Sequence, residues 1–149
     1  MKTIKCGILH PDEEICRRLS DFIGQTPFLS LTAKHTSQAE MLDACHRKEG
    51  DLLFFNIDND TEQVASFRAS IDRAIPIVFI SSDKGKAFDS FRLNALDFLL
   101  TTDPYHVFLT SANKALQHLS FQAPETQPGH IDVKSEYRIV RLDVRDGND

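Results

Sequence analysis

The sequence predicts an open α/β domain, with a mainly parallel sheet lying between two layers of helices. Three observations carry this. Short apolar runs alternate with helical patterns about five times along the chain. Two of those runs, 52–57 (LLFFNI) and 77–81 (IVFIS), are almost wholly apolar, which suits central parallel strands covered on both faces. Helix-start signals then follow strand patterns at short intervals, among them the capping box Ser37-Gln38-Ala39-Glu40 and the pair Asp103-Pro104. Strand–helix alternation of this kind gives a sheet with right-handed crossovers and places ligand chemistry at the carboxyl ends of the strands.

Taken in order, 3–9 (TIKCGIL) reads as the first strand. From Pro11 to about Gly24, Ile15, Leu19, Phe22 and Ile23 recur at helical spacing. Residues 28–33 (FLSLTA) form a second strand, and Ser37 opens a second helix that Gly50 is expected to close. After the third strand, a helix carries Val64, Phe67 and Ile71 on one side. A fourth helix is expected over Lys84 to Asn94, weakened by Gly85 inside it. Asp97 to Leu100 is a short fifth strand. Asp103 and Pro104 then act as cap and first helical residue of a last helix, which runs to about Phe121 with Phe108, Ala112, Ala115, Leu116 and Leu119 facing inward.

The expected layout is a domain over 1–121, a linker over 122–130 and a β-hairpin over 131–149. The linker reading rests on two prolines and a glycine in QAPETQPG. The hairpin reading rests on Val140, Leu142 and Val144 alternating with charged residues.

With 149 residues the chain is long enough for one well-filled core. Apolar residues make up 41% and charged residues 26%, an ordinary globular balance. The net charge of -5 provides no general attraction to DNA or anionic lipid. Cys6, Cys16 and Cys45 make neither a disulfide framework nor a metal knuckle. No stretch reads as a signal peptide or membrane span. A reducing cytoplasm, with no membrane association, is the expected setting.

The segments CGILHPDEEICRRLSDFI, DLLFFNIDND, PIVFISS and NALDFLLTTDPYHVFLTSANKAL resemble the receiver domain of LytTR-type bacterial response regulators, from about Lys2 to Phe121. HIDVKSEYRIVRLDV resembles the first strands of the LytTR DNA-binding domain. The resemblance implies a flavodoxin-like (CheY-like) five-stranded sheet of order 2-1-3-4-5. It also implies a phosphoacceptor aspartate where this chain has Asn56, and an acidic pair where it has His10 and Pro11. Asp12 falls on a further acidic position, Ser81 on the switch hydroxyl, Phe98 on the switch aromatic and Thr101 on the lysine.

These departures have one chemical meaning. Aspartyl phosphorylation needs an ionised carboxylate as nucleophile, and an asparagine amide is a poor one. It also needs magnesium in a cage of hard oxygens, which His10 and Pro11 do not supply. Thr101 cannot bring a lysine's charge to the phosphoryl oxygens.

The expectation is therefore a degenerate, phosphorylation-independent receiver with no catalytic residue, metal or cofactor. It would act through protein partners, chiefly as a homodimer, to control transcriptional output. Phe88, Phe91 and Arg92 are its interface candidates, since the resemblance makes the face of the fourth helix, fifth strand and fifth helix the dimerisation and output surface. DNA would be bound only through a fuller C-terminal domain. Two alternatives stand beside it: unorthodox phosphorylation at Asp58 or Asp12, and a small ligand-binding or enzymatic domain on the same fold. Asp58 and Asp60 also read as turn and cap residues of the third helix. His10 reads as a solvated loop histidine.

Overall fold

The computed structural model describes residues 3–58 and 60–122. The expected linker and hairpin lie outside these residues, except Gln122, which is still helical. The chain divides into two units, Met1–His118 and Leu119–Asp149, and the sheet belongs wholly to the first.

Five strands, β1 (Ile4–Leu9), β2 (Leu29–His35), β3 (Leu52–Asn56), β4 (Ile77–Ser81) and β5 (Asp97–Leu100), form one parallel sheet in the order β2-β1-β3-β4-β5. Five helices connect and follow them: α1 (Glu13–Gly24), α2 (Gln38–His46), α3 (Thr61–Ser70), α4 (Ala87–Arg92) and α5 (Tyr105–Gln122). The expected fold class and strand order are therefore those observed.

Every residue of β3 and β4 is buried, because helices cover both faces of these central strands. Alternate residues serve opposite layers. Phe54 stacks on Phe108 of α5 at 5.3 Å between ring centroids. Its neighbour Phe55 turns the other way, 4.8 Å from Phe67 of α3 and edge-on to Phe79 at 5.8 Å. Leu53, Phe55, Phe79, Met41, Val64, Phe67 and Ile71 belong to one buried cluster on that second face.

One irregularity marks the β1–β2 ladder. Cys6 pairs with Leu31 but Gly7 pairs with Ala33, so Thr32 is bulged out. Its hydroxyl donates to the carbonyls of Cys6 at 3.0 Å and Glu49 at 3.2 Å. All three cysteines are free and buried. Burial raises each thiol pKa, that of Cys6 to about 12.

Several boundaries differ from expectation, each for a local reason. The side chain of Ser37 accepts from the Glu40 amide at 3.1 Å, as a capping box requires. The Glu40 carboxylate instead reaches Thr36, binding its amide and its hydroxyl at 3.0 Å each. Helix α2 closes at His46, four residues short of Gly50, and Lys48 takes the left-handed conformation with φ 59°. The fourth helix is split: Lys84–Lys86 form a 3-10 turn around Gly85, and only Ala87–Arg92 are α-helical.

The last helix starts at Tyr105, one residue later than expected. The Asp103 carboxylate does not cap its amides but turns back to accept from Leu100 N at 2.8 Å. Phe108, Ala112 and Ala115 face inward as expected. Buried Ser111 joins them by donating to the Asp97 carboxylate at 2.5 Å, which ties α5 to β5. Among the described residues no helix is long and apolar enough to cross a membrane.

Candidate functional site

Because the strands are parallel, β1, β3, β4 and β5 all end at one rim of the sheet. The register pairs Asn56 with Ile80 and Ser81 with Leu100, so Asn56 and Ser81 end adjacent strands. Asn56 is only 4% exposed and Ser81 is fully buried. The side-chain oxygen of Asn56 accepts from Asp58 N at 3.1 Å, the tight turn that asparagine favours. That bond assigns the amide orientation: oxygen toward Asp58 N, nitrogen away from it.

Ser81 is the most connected hydroxyl at the rim. It donates to the Asp58 carboxylate at 2.5 Å and accepts from Asp83 N at 2.9 Å. Thr101 N in turn donates to the Ser81 carbonyl at 3.0 Å. The expectation that Asp58 and Asp60 both serve α3 therefore divides. Asp60 caps the helix, accepting from Glu62 N at 2.8 Å, whereas Asp58 is committed to β4. Pattern reading within NIDND has no signal for this, since the partner lies 23 residues away.

In the β1–α1 loop, Asp12 caps α1 by accepting from Glu14 N at 2.8 Å, and its own amide donates to His10 Nδ1 at 3.1 Å. An Nδ1 that accepts leaves the neutral ring with its proton on Nε2. That Nε2 is buried without a partner. The reading of His10 as a solvated loop residue is thereby corrected: the ring folds against the loop that it braces. Burial lowers its pKa, partly offset by the Asp12 and Asp58 carboxylates.

Beside the rim lies an open cavity of about 610 Å³, lined by His10, Ser37, Gln38, Asn56 and Gln63 among others, and none of the described residues lining it is charged. Thr101 does not join it. With Thr102, Thr101 borders a separate cleft beside Arg17 and Arg18 of α1. The fold thus gathers His10 and Asn56 at one cavity and places Ser81 on the next strand end, while Thr101 opens elsewhere.

Receiver folds imply a magnesium ion at this rim, and the residues here do not fit one. The Asp12 carboxylate is engaged as a helix cap, the Asp58 carboxylate binds Ser81, and position 56 supplies only an amide. Among the described residues no three His, Cys, Asp or Glu side chains converge as a metal-ligand set.

Away from the rim, Phe88 and Phe91 on α4 are the large apolar side chains that the described residues leave exposed, at 68% and 59%. The Arg92 guanidinium lies over the Phe88 ring, 5.7 Å from its centroid. Phe98 of β5 is half-buried and packs against the core, together with Leu93.

His35 ends β2, at the opposite edge of the sheet from β5; its Nδ1 lies 3.7 Å from Glu40, and burial lowers its pKa too. A lowered histidine pKa means that the unfolded chain binds the proton more readily. Stability is then intact above the ordinary value of 6.5 and falls as pH drops below it toward the lowered folded value. Urea midpoints are expected to decline between about pH 7.5 and pH 5. In the double variant His10→Gln/His35→Gln that slope should flatten.

A sheet of this order with its rim and flanking helices defines the fold of CheY-like response-regulator receiver domains. The response regulatory domain of mrkE from Klebsiella pneumoniae superposes with a TM-score of 0.69 at 19% identity, covering 80% of this chain and 100% of that one. A CheY-like receiver domain protein from Methanospirillum hungatei gives 0.66 at 12% identity, covering 82% and 100%. A two-component response regulator from Clostridium difficile gives 0.64 at 15% identity, covering 78% and 98%. No family model and no curated protein sequence matches the chain.

Proposed function

We propose that this chain is a degenerate receiver that signals by protein–protein contact without being phosphorylated. The observation that carries the reading is Asn56. At the buried end of β3, where a receiver would need a nucleophilic carboxylate, stands a neutral amide already bonded to the backbone of Asp58. The uncharged cavity beside it and the committed carboxylates of Asp12 and Asp58 support the same conclusion.

The working surface in this reading is the face of α4 that presents Phe88, Phe91 and Arg92. Exposed aromatics with an arginine are the composition of interface anchors. The partner is a second copy of the chain, and the output is transcriptional, through a LytTR-type DNA-binding module whose first strands the segment 130–144 resembles. The setting is a cytoplasmic two-component pathway.

Two measurements test this. Incubation with acetyl phosphate and magnesium should leave the intact mass unchanged. A phosphate adduct would overturn the phosphorylation-independent reading. Replacing the aromatic pair, as Phe88→Ser/Phe91→Ser, should shift sedimentation from dimer to monomer at micromolar concentration while the far-UV circular dichroism of the folded chain is unchanged. A wild-type chain that is monomeric at that concentration would sink the dimer.

One observation favours a second reading. The Asp58 carboxylate is exposed and adjacent to the Ser81 hydroxyl, so a phosphoryl group on Asp58 would find a hydrogen-bond donor in place. An adduct lost in Asp58→Asn would select it.

A further inference from the structure

The Ser81 hydroxyl has one proton to give, and it gives it to Asp58. The same oxygen accepts from Asp83 N, and the Asp83 side chain accepts from Gly85 N at 2.8 Å. The Asp83 carbonyl then accepts from Lys86 N at 3.0 Å, and the 3-10 turn Lys84–Lys86 runs straight into α4. An unbroken series of hydrogen bonds therefore leads from the β3–α3 loop, through the buried end of β4, to the start of the helix that carries Phe88, Phe91 and Arg92.

The far end of that helix is held separately. The Ser90 carbonyl accepts from Ala95 N at 3.1 Å, and the Ile77 carbonyl accepts from Leu96 N at 2.8 Å. The leading end meets the sheet through the bond from Asp83 N to Ser81 Oγ. It carries no side-chain cap of its own at Lys86, and Gly85 lowers its helical propensity.

We propose that Asp58 is a positioning residue: a permanent internal ligand of Ser81 that fixes the leading end of α4 and so sets the presentation of the aromatic patch. The inference rests on the reading of that patch as the working surface, but the coupling itself is a property of the free chain. Three features support it. Ser81 is fully buried, so losing its acceptor leaves the hydroxyl proton unsatisfied and frees the hydroxyl to rotate, which turns the oxygen lone pair away from the Asp83 amide. The bond to Asp58 is charge-assisted, the stronger class of hydrogen bond. And Asp58 is itself aimed by Asn56, whose side-chain oxygen holds its amide. The degenerate acceptor position thus acquires a use: Asn56 orients the loop whose carboxylate holds β4.

The test is amide hydrogen exchange on the dilute full chain, comparing wild type with Asp58→Ala, Ser81→Ala, the double variant and Asp58→Asn. Asp58→Ala and Ser81→Ala should each speed exchange at Asp83, Gly85 and Lys86 by about tenfold or more, with Ile8 and Phe54 unchanged. The double variant should match Ser81→Ala, since Asp58 acts only through Ser81, and Ser81→Ala also removes the acceptor of the Asp83 amide. Asp58→Asn, which keeps an oxygen acceptor, should recover most of the protection. Unchanged exchange at 83–86 in Asp58→Ala would overturn the proposal. So would multiplicative effects in the double variant, or acceleration spread evenly over the sheet. A phosphate adduct or a lost dimer bears on the function proposed above and leaves this exchange result as it stands.

Discussion

Phe54→Ala is expected to cost about 3–5 kcal/mol of unfolding free energy, the range for removing a fully buried aromatic ring. Phe54 has no exposed surface, sits in the middle of the central strand and stacks on Phe108 with 20° between ring planes. Phe108 in turn lies 5.3 Å from Phe22 of α1, so the emptied volume is walled by α1, α5 and the sheet. A site enclosed by three regular elements collapses poorly, and the cavity cost adds to the lost transfer energy. Because a domain of this size holds roughly 5–15 kcal/mol in all, the variant should unfold at a fraction of the wild-type urea midpoint. Phe88→Ala, at 68% exposure, is the matched control and should move stability by no more than about 0.5 kcal/mol. Equal losses in the two variants would contradict the burial described here.

Asn56→Asp is expected to destabilise the fold by about 2 kcal/mol at neutral pH without creating a phosphoacceptor. The substitution restores the residue type of a working receiver, yet it restores none of its surroundings. The new carboxylate would keep one donor, Asp58 N, at a position 4% exposed, with Asp58 two residues along the chain and no cation among the described residues that line the adjoining cavity. Desolvation and like charge both raise the pKa of such a group. The sign follows: the penalty applies fully above the raised folded pKa and is relieved as pH falls through it, because the protonated acid resembles the amide. Unfolding midpoints at about pH 7.5 and pH 5 should therefore converge with those of wild type as acid is added. Acetyl phosphate with magnesium should still leave the mass unchanged. Efficient labelling of the variant would mean that the rim retains more of the phosphoryl machinery than His10, Pro11 and Thr101 suggest.

Much of the fold was legible in the chain because it depends on short-range pattern. The almost wholly apolar runs LLFFN and IVFIS become the central strands, and Val64 and Phe67 fall on the buried side of α3, with Ile71 buried just past its end. Two of the misjudged ends share a cause. Glu40 finds Thr36 instead of closing its capping box, and Asp103 finds Leu100 instead of capping α5. In both cases a polar side chain had two nearby backbone partners of similar worth, and local spacing does not choose between them. Helix α2 stops before its glycine, and Lys48 takes the left-handed conformation there.

The site divides in the same way. Its chemical deficit was readable from residue types alone, since an amide at 56 and a threonine at 101 lack charge wherever they point. The employment of each remaining group was not. That Asp58 serves β4 and not α3, and that Thr101 opens onto a different cleft from Asn56, depend on contacts between strand ends far apart in the chain, whereas the brace of His10 Nδ1 on Asp12 N is a local choice that spacing leaves open. By itself the sequence determined an α/β sheet with an uncharged residue at its reactive position. Only the tertiary structure decided which carboxylates were left free there. A side chain's type is carried by its own codon, whereas its partner is set by which loops the parallel sheet brings to the same rim.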